Sequence, residues 1–284
     1  MEDLGRILAL SADFLRDRGV ASAKLDASLL VGHALGLTRM QVYLQTDRPL
    51  DQAELDAIRA LLRRRAMREP LAYITGHREF MSLDFSLLPG LLVPRPDSEL
   101  LVEALLRRIP AEREEPLFVA DVGCGSGCLG LSLAHARACV RVYAVDRSRQ
   151  ALACTKANAM ALGLEGRVGL LEGDLLAPVP SDRPIDWVLS NPPYIPSAEL
   201  EGLEPEVVRY EDRGALDGGP DGLDIIRRLL PQAAARARVG IVMEHAWQQG
   251  PATVALALEA GFAAAETSKD LAGKDRCLLA VVEA

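Results

Sequence analysis

The feature that most constrains the fold of this chain is a regular alternation of strand-like and helix-like segments after residue 96. Short apolar runs that predict buried strands alternate with longer stretches whose apolar residues recur every three or four positions, as in amphipathic helices. The predicted strands are 117–121, 140–146, 168–174, 185–190, 239–244, 262–267 and 276–283, and the predicted helices cover about 97–109, 149–162, 221–236 and 248–260, with one more after the Gly-rich turn at 123–127. The alternation predicts an α/β fold with a mostly parallel, doubly wound sheet that carries helices on both faces.

Two different patterns precede this region. Over residues 1–75, leucine and isoleucine recur at helical spacing between short breaks that contain glycine or proline, which predicts a small helical bundle. Over residues 76–96, alternation from Phe80 to Leu87 predicts a hairpin, and prolines then stiffen a linker. We therefore expect a helical domain over 1–75, a hairpin and linker over 76–96, and the α/β domain over 97–284.

The 284 residues carry a net charge of −8, and the acidic excess is unevenly distributed. Residues 1–75 contain 11 Lys or Arg and 10 Asp or Glu, so the excess of acidic side chains lies in the remainder of the chain. A domain that grips nucleic-acid phosphates usually presents a basic face. We therefore expect no direct contact with nucleic acid.

The cysteine, histidine and hydrophobicity patterns indicate which covalent links, metal sites and membrane segments to expect. The five cysteines are odd in number and lack CxxC spacing, and the four histidines share no metal-ligand spacing, so we expect neither a disulfide framework nor a metal site. The first residues do not resemble a signal peptide, and no apolar run reaches about 20 residues, so no membrane span is expected. The expectation is a cytoplasmic monomer with reduced thiols.

The turn after the first predicted strand has the sequence Gly123-Cys124-Gly125-Ser126-Gly127. Its glycines let the backbone approach a ligand without Cβ clashes, although a GxGxG turn alone is also compatible with simple packing. Asp146 ends the second predicted strand, where an acidic residue in an open α/β sheet accepts hydrogen bonds from ribose hydroxyls. Asp174 ends the third, where an adenine edge would lie. These positions predict a nucleoside site, and a nicotinamide enzyme would share the first two.

The segment Asn191-Pro192-Pro193-Tyr194 follows the fourth predicted strand at its carboxyl end, where ligands bind in such sheets. A planar amide or aniline-like nitrogen is a poor nucleophile, and two acceptors must hold its N–H bonds in line with a methyl donor. The side-chain carbonyl of Asn191 and the main-chain carbonyl of Pro192 can be those acceptors, and Tyr194 can stack on the flat group. The segment therefore indicates methylation of such a nitrogen, with acceptors that stabilise the developing charge.

The Gly-rich turn, Asp146 and the Asn-Pro-Pro-Tyr segment together resemble the amino-methylating class of S-adenosylmethionine enzymes, which includes adenine-N6 nucleic-acid and glutamine-N5 protein methyltransferases. Flanking motifs narrow the resemblance to the release factor glutamine N5-methyltransferases of the HemK/PrmC family. These motifs are Tyr73 to Gly76, Arg78 to Phe80, Val93 to Glu99, Ala215 to Gly219 with Asp221 to Leu223, Glu244-His245 with Gln248 to Gly250, and Asp270 to Gly273 with Asp275-Arg276. The similarity to this family is dense over residues 70–284, whereas over residues 1–70 it rests mainly on helical character.

The resemblance implies a Rossmann-like, seven-stranded S-adenosylmethionine-dependent methyltransferase domain preceded by a small N-terminal helical bundle that docks the substrate. It implies S-adenosylmethionine as cofactor, S-adenosylhomocysteine as product, and class 1 peptide chain release factors as partners, whose Gly-Gly-Gln glutamine would be methylated to modulate translation termination. The residues implied to bind the cofactor are Gly123, Cys124, Gly125, Ser126, Gly127, Asp146, Asp174, Leu175 and Asn191. Those implied to bind the substrate are Arg95, Glu99, Asn191, Pro192, Pro193 and Tyr194, of which Asn191, Pro192 and Tyr194 are implied to be catalytic. Relatives can have an aromatic residue at the position of Leu175, so a stacking role there is not implied.

Three alternatives stay open. An adenine-N6 nucleic-acid methyltransferase also holds an exocyclic amine and would flip its base into the pocket, but the acidic α/β domain disfavours it. A ribosomal-protein glutamine methyltransferase shares the chemistry, but such relatives look different over the Pro94 to Glu99 segment. A non-enzymatic module that merely keeps the fold is disfavoured by the intact Gly-rich turn, Asp146 and Asn-Pro-Pro-Tyr.

Overall fold

The computed structural model describes residues 2–283 and divides into two compact units. The helical unit comprises the chain up to His77 together with Glu204–Tyr210, and the α/β unit comprises Arg78–Leu203 and the chain from Glu211 onward. Met1 and Ala284, at the ends of the expected domains, lie outside the described residues. The expected hairpin belongs to the α/β unit, because Phe80 and Phe85 are buried in the same core as Leu101.

Helices and strands follow one another along the chain much as the sequence patterns predict. The helices are α1 (Leu4–Asp17), α2 (Ala23–Leu35), α3 (Arg39–Leu44), α4 (Gln52–Ala66), α5 (Leu71–Thr75), α6 (Glu99–Leu106), α7 (Cys128–Ala136), α8 (Arg149–Ala161), α9 (Pro205–Tyr210), α10 (Asp224–Arg236) and α11 (Gly250–Glu259). The strands are β1 (His77–Phe80), β2 (Leu83–Ser86), β3 (Leu117–Val122), β4 (Val140–Asp146), β5 (Val168–Glu172), β6 (Ile185–Ser190), β7 (Ala237–Glu244), β8 (Ala264–Lys269) and β9 (Asp275–Val281). None of the helices between residues 2 and 283 combines the length and apolar character that crossing a membrane requires.

The helical unit is built from amphipathic helices, as the leucine spacing predicts. Leu4 and Leu15 on α1, Leu30 on α2 and Ile58 on α4 are at most 1% exposed, and they lie in one apolar core. At the start of α4, the Asp51 side chain accepts a hydrogen bond from a backbone N–H in a capping box, which satisfies donors that a helix otherwise leaves open. The predicted small helical bundle is confirmed.

A buried cluster of charges ties the short helix α9 into this unit. Arg65 donates to Asp26 across 2.7 Å, and its other guanidinium arm lies 2.9 Å from Glu206. Arg68 also pairs with Glu206, at 2.6 Å. Because Arg65 and Asp26 are almost completely buried, each charge depends on its partner to offset the loss of hydration.

The α/β unit contains a seven-stranded sheet with the order β5-β4-β3-β6-β7-β9-β8. The strands from β5 to β7 run parallel, whereas β9 pairs antiparallel with both β7 and β8. The chain builds outward from β3 to β5 and then returns to the other side of β3 with β6. The strand order therefore reverses between β3 and β6, and a crevice opens beyond their carboxyl ends. The predicted Rossmann-like, doubly wound sheet is confirmed.

Both faces of this sheet are covered, which explains why its central strands are almost continuously apolar. Val119 packs into the core on one face and Ala120 into the core on the other, as the two-residue period of a strand requires. On β6, Trp187 packs into the same core as Val119, and Val188 packs into the same core as Ala120. The two cores fix the ends of β3 and β6 rigidly, and the candidate site is built at those ends.

Several element boundaries differ from the sequence-based expectation. The hairpin begins at His77 rather than near Phe80, and its turn places Met81 and Ser82 in the left-handed region, at φ of +52° and +59°. Such positive φ values suit a tight hairpin turn, although neither residue is the glycine or asparagine that announces one in a sequence. Strand β5 ends at Glu172, so Asp174 lies two residues beyond it rather than at its end. The expected helix from residue 97 begins as a 3₁₀ turn at Pro96–Ser98 before α6.

Candidate active site

A cavity of about 460 Å³ lies at the carboxyl ends of β3, β4 and β6, the edge of the sheet where the strand order reverses. Its volume is within the usual range of small-molecule sites. Most of the residues predicted to bind ligands line it, namely Arg95, Gly123, Cys124, Gly125, Ser126, Asp146, Asp174, Leu175, Asn191, Pro192 and Pro193. Three predicted residues, Glu99, Gly127 and Tyr194, are not among those that line the cavity. The structure thus brings together nearly all of the predicted site, from segments far apart in the chain.

The Gly-rich turn forms one wall of the cavity and owes its shape to backbone conformations that favour glycine. Gly123, Gly125 and Gly127 all have positive φ, of +72°, +56° and +80°. A Cβ at Gly127 would approach Thr155 Cγ2 to 2.8 Å and Leu131 Cδ1 to 2.9 Å, whereas a Cβ at Gly125 would meet nothing within 4 Å. Gly127 therefore serves close packing at the start of α7, and Gly125 leaves open space for a ligand.

Asp146 at the end of β4 supports this turn and faces the cavity. Its Oδ2 accepts a hydrogen bond from the Gly125 N–H at 3.0 Å, and its Oδ1 accepts one from the Ser148 N–H at 2.9 Å. Each carboxylate oxygen can accept a further bond, since it has two lone pairs. The remaining capacity suits two adjacent ribose hydroxyls, as predicted from the sequence.

Asp174 and Leu175 close the side of the cavity beyond β5. Asp174 pairs with Arg228 on α10, so its carboxylate already has a cationic partner. Leu175 has a φ of +51° and is buried, and its side chain contributes an apolar surface to the cavity wall. The pair offers a polar group beside an apolar side chain, which is compatible with packing against a purine.

Asp121, the last acidic residue before the Gly-rich turn, is completely buried beneath it. Its Oδ2 accepts a hydrogen bond from the Gly130 N–H at 2.9 Å, while its Oδ1 has no partner within residues 2–283. Burial raises the pKa of Asp121 to about 7, and the negative charge of Asp146 adds to the effect, although the bond from Gly130 opposes it. Asp121 thus supports the start of α7 and is not among the residues that line the cavity.

Asn191 follows β6 and lies beside the Gly-rich turn. Its Nδ2 donates a hydrogen bond to Ser98 Oγ at 3.1 Å, so the amide oxygen Oδ1 remains for a ligand in the cavity. Ser98 Oγ in turn donates to Glu244 Oε2, and the Tyr194 hydroxyl donates to Glu244 Oε1 at 2.8 Å. Asn191 and Tyr194, predicted from one motif, are thus joined through Ser98 and Glu244.

Glu244 lies at the end of β7, and its carboxylate is the centre of this hydrogen-bond network. Burial raises the pKa of Glu244, while the two hydroxyl donors and the positive charge of Arg276 lower it. Burial also raises the pKa of the Tyr194 hydroxyl, and the charge of Glu244 adds to this. Tyr194 therefore stays protonated and acts as a hydrogen-bond donor rather than as a base.

The loop that follows Asn191 is held by backbone contacts with two later segments. Gln249 Nε2 donates to the Tyr194 carbonyl at 3.0 Å and to the Asp221 carbonyl at 3.2 Å. A Cβ at Gly222 would lie 2.2 Å from the Tyr194 carbonyl oxygen, so only glycine fits there. These contacts give a structural reason for Gly222 and for Gln249, which lie in segments that the resemblance singled out.

Arg95 and Glu99 have different surroundings although they share one motif. Arg95 lines the cavity and pairs with the buried Glu211 at 2.7 Å. The Glu99 carboxylate instead accepts a hydrogen bond from the Met81 N–H at 2.8 Å and supports the strained hairpin turn. The structure therefore brings Arg95 to the site and does not bring Glu99 there.

The resemblance implied that the segment Pro94 to Glu99 lies beside the cofactor, but it gave Ser98 no role of its own, and sequence reasoning did not assign Glu244 or Gln249 to the site. One signal was available for Glu244, because it ends an apolar run that predicts a strand. In the structure that strand is the neighbour of β6. Ser98 and Gln249 lie in motifs that carry the resemblance, but their individual roles depend on turns that pack against the end of the sheet. Over the described residues, no group of three or more His, Cys, Asp or Glu side chains could hold a metal ion.

The site fits the cofactor that the sequence resemblance implies. Gly123 and Gly125 leave room for close approach, Asp146 offers acceptors for a ribose, and Leu175 with Asp174 offers a surface for adenine. S-Adenosylmethionine contains both the ribose and the adenine that these residues would bind.

Comparison with known proteins agrees with this geometry. Residues 6–76 match the PrmC N-terminal domain family, and residues 96–203 match the methyltransferase small domain family. A release factor glutamine methyltransferase of Moorella thermoacetica is 46% identical over 265 residues, which are 92% of each chain, and one of Geobacter sulfurreducens is 41% identical over 95% of this chain and 94% of its own. The solved Thermus thermophilus 16S rRNA N2 G1207 methyltransferase, in complex with AdoMet and guanosine, is 24% identical with a TM-score of 0.52. This last match covers 72% of the present chain and 49% of the other, and it shows likeness of fold alone.

Proposed function

Because the chain belongs to the release factor glutamine methyltransferase family, we infer that it transfers a methyl group from S-adenosylmethionine to the side-chain amide nitrogen of a glutamine in a peptide chain release factor. We propose that the acceptor is the glutamine of the Gly-Gly-Gln motif of class 1 factors. The observation that carries this proposal is the position of Asn191, whose amide oxygen is left for a ligand in the cavity beside the Gly-rich turn.

Asn191 and Pro192 provide the acceptors that a glutamine amide needs. The amide nitrogen carries two N–H bonds, and Asn191 Oδ1 with the Pro192 carbonyl can accept one from each. Held in this way, the nitrogen faces the methyl group with little freedom to rotate, which supplies much of the rate enhancement. Positive charge that develops on the nitrogen is stabilised by the same two oxygens.

The reaction needs no strong base. S-Adenosylmethionine would supply a methyl group on a sulfonium, whose neutral thioether, S-adenosylhomocysteine, is a good leaving group. A nitrogen–carbon bond forms as the carbon–sulfur bond breaks, and one amide proton then passes to solvent. No residue has to hold that proton permanently, which agrees with a Tyr194 that remains protonated.

Two further features of the function are proposals. The acceptor works in translation, so we propose that the reaction takes place in the cytoplasm. We also propose that the protein acts as a monomer and makes no direct contact with nucleic acid, in keeping with its net charge of −8.

The function is tested with labelled S-adenosylmethionine and three acceptors in parallel: an intact class 1 release factor, the same factor with alanine in place of the Gly-Gly-Gln glutamine, and an adenine-rich duplex. We expect label on the intact factor alone. Acid hydrolysis of that product should release labelled methylamine, because the methyl group is on the amide nitrogen. Label on the duplex alone would support an adenine methyltransferase instead, and equal label on both factors would place the acceptor elsewhere in the factor.

A further inference from the structure

We propose that Ser98 and Glu244 are positioning residues that determine which end of the Asn191 amide faces the acceptor nitrogen. The inference rests on the proposed function, because it assigns to Asn191 Oδ1 the role of accepting a hydrogen bond from the substrate amide. It adds Ser98, which lines the cavity, and Glu244, which lies behind Ser98, as residues that decide whether Asn191 presents an acceptor or a donor.

The three side chains come from separate elements that meet at the end of the sheet. Ser98 closes the 3₁₀ turn before α6, Asn191 follows β6, and Glu244 ends β7. Ser98 and Glu244 are 3% and 1% exposed, so water does not compete for their hydrogen bonds. The chain of contacts runs from Asn191 Nδ2 to Ser98 Oγ and from Ser98 Oγ to Glu244 Oε2.

The direction of the hydrogen bonds follows from the chemistry of a carboxylate. Both oxygens of Glu244 accept hydrogen bonds, one from the Tyr194 hydroxyl and one from Ser98, so Ser98 gives its single proton to Glu244. The Ser98 oxygen then has only lone pairs left for Asn191, and the Asn191 amide has to turn its NH₂ end toward it. Oδ1 consequently faces the cavity. With the amide reversed, its NH₂ would oppose the N–H bonds of the acceptor, and two donors would repel.

The burial of Glu244 is hard to explain by packing alone. A carboxylate in the interior is costly without a cationic partner, and Glu244 has no ion pair within residues 2–283. Its stabilisation comes from two hydroxyl donors, Ser98 and Tyr194, together with the more distant charge of Arg276. A buried Glu244 that is joined to Asn191 through Ser98 is well suited to fixing the orientation of the Asn191 amide.

The test compares Ser98→Ala, which removes the hydroxyl, with Ser98→Thr, which keeps it. We expect Ser98→Ala to lower kcat for release factor methylation by about 10- to 100-fold, as for other small losses of positioning, with KM for the factor and Kd for S-adenosylhomocysteine within about 2-fold of wild type. Ser98→Thr should restore kcat to within about 3-fold. Ser132→Ala is the matched control, because Ser132 is also buried but its hydroxyl has no partner within the described chain. It should keep wild-type kcat.

A double-mutant cycle with Glu244→Gln separates orientation from packing. The glutamine can accept at only one end, so it cannot hold both hydroxyl protons, and kcat should fall. In the double variant, Glu244→Gln should lower kcat by less than about a further 2-fold relative to Ser98→Ala, because the link to Asn191 is already lost. Additive effects, unchanged kcat in Ser98→Ala, or a Ser98→Thr variant as slow as Ser98→Ala would each overturn the proposal. A wild-type protein that binds S-adenosylhomocysteine but leaves the factor unlabelled would instead overturn the proposed function, and the role of the amide with it.

Discussion

At the scale of single residues, Asn191 is the side chain on which the chemistry depends. Asn191 lines the cavity and donates a hydrogen bond from its Nδ2 to Ser98, which leaves its amide oxygen for a ligand. The residues around it supply shape and orientation rather than proton transfer, because Tyr194 stays protonated and Glu244 is committed to two hydroxyls. The site is therefore expected to work by positioning and by acceptor groups.

Replacing Asn191 with alanine should remove one of the two acceptors for the substrate amide. We expect the single-turnover rate to fall by about 10²- to 10³-fold, comparable to the loss of one hydrogen-bonding group from other preorganised sites. Rapid-quench measurement with saturating cofactor would test this, and calorimetry with S-adenosylhomocysteine would show whether the cofactor still binds. A rate within about 3-fold of wild type would mean that Asn191 does not hold the acceptor.

Asp121 should make the stability of the cofactor-free protein depend on pH. Its pKa is about 7 in the folded protein against 3.8 as the reference value, so between these pH values the folded state keeps a proton that the unfolded state has lost. The free energy of unfolding should therefore fall as pH rises through this window, by roughly 2 to 4 kcal/mol from this residue. Above the folded pKa this contribution should level off.

The variant Asp121→Asn isolates that contribution, because its amide can still accept from Gly130 but cannot ionise. Urea unfolding at pH 5 and pH 8 should show a smaller loss of stability in the variant than in wild type. The same loss in both proteins would show that Asp121 does not titrate in this range.

Most residues predicted at this scale line one cavity, but their hydrogen-bond partners could not be predicted from the sequence. Asp146 and Asn191 follow apolar strands directly, and the ends of parallel strands meet at one edge of a sheet. Glu99 lies in the same motif as Arg95 but points its carboxylate to Met81, which nothing local in the sequence reveals. The hydrogen bond from Tyr194 to Glu244 likewise depends on the pairing of β6 with β7, far apart in the chain.

At the scale of elements, the Gly-rich turn between β3 and α7 combines two requirements. Gly127 is needed because neighbouring side chains are too close for a Cβ, and Gly125 because of its backbone conformation and the open space beside it. The sequence predicted the turn and the strands on each side. It did not distinguish these two roles, because the difference comes from Thr155 on α8, which packs against Gly127 from a later helix.

The pair Gly127→Ala and Gly125→Ala should separate stability from ligand binding. Gly127→Ala combines an unfavourable φ with overpacking and should lower the free energy of unfolding by about 2 to 4 kcal/mol. Gly125→Ala should lose less stability but should weaken S-adenosylhomocysteine binding more, because its methyl group enters open space in the cavity wall. Chemical denaturation and calorimetry on both variants would test this, and the reverse order of effects would contradict it.

Boundaries were the least predictable part of the elements. The hairpin turn at Met81 and Ser82 has positive φ at both residues, which side chains of this type do not announce. It is supported by Glu99 and by the edge-to-face packing of Phe80 on Phe85, with ring centroids 6.4 Å apart. These supports come from tertiary structure, and they override the weak local preference for a turn elsewhere.

At the scale of the whole molecule, the chain forms two units with separate cores. The sequence predicted a helical bundle and an α/β domain, but it did not predict that α9, inserted after β6, belongs to the helical unit. The reason is electrostatic: Glu206 on α9 completes the buried cluster of Arg65 and Asp26. Ion pairs between residues so far apart in sequence leave no local pattern.

Replacing Arg65 with methionine should destabilise the helical unit, because Asp26 would be left buried without its partner. A loss of about 3 to 5 kcal/mol is typical for such a change. Hydrogen exchange should show faster exchange in α2 and α4, while the sheet of the α/β unit stays protected. Arg59→Met is the matched control, since the pair of Arg59 with Asp56 is exposed and should contribute little. Equal effects of the two substitutions would contradict the role of the buried cluster.

The most direct test of the central claim is tandem mass spectrometry of a class 1 release factor after incubation with this protein and S-adenosylmethionine. The structure and the family of the chain predict one added methyl group, on the glutamine of the Gly-Gly-Gln motif, which should be absent from the Asn191→Ala reaction at the same time point. A methyl group on any other residue, or an unmodified factor in the presence of an enzyme that binds the cofactor, would contradict it.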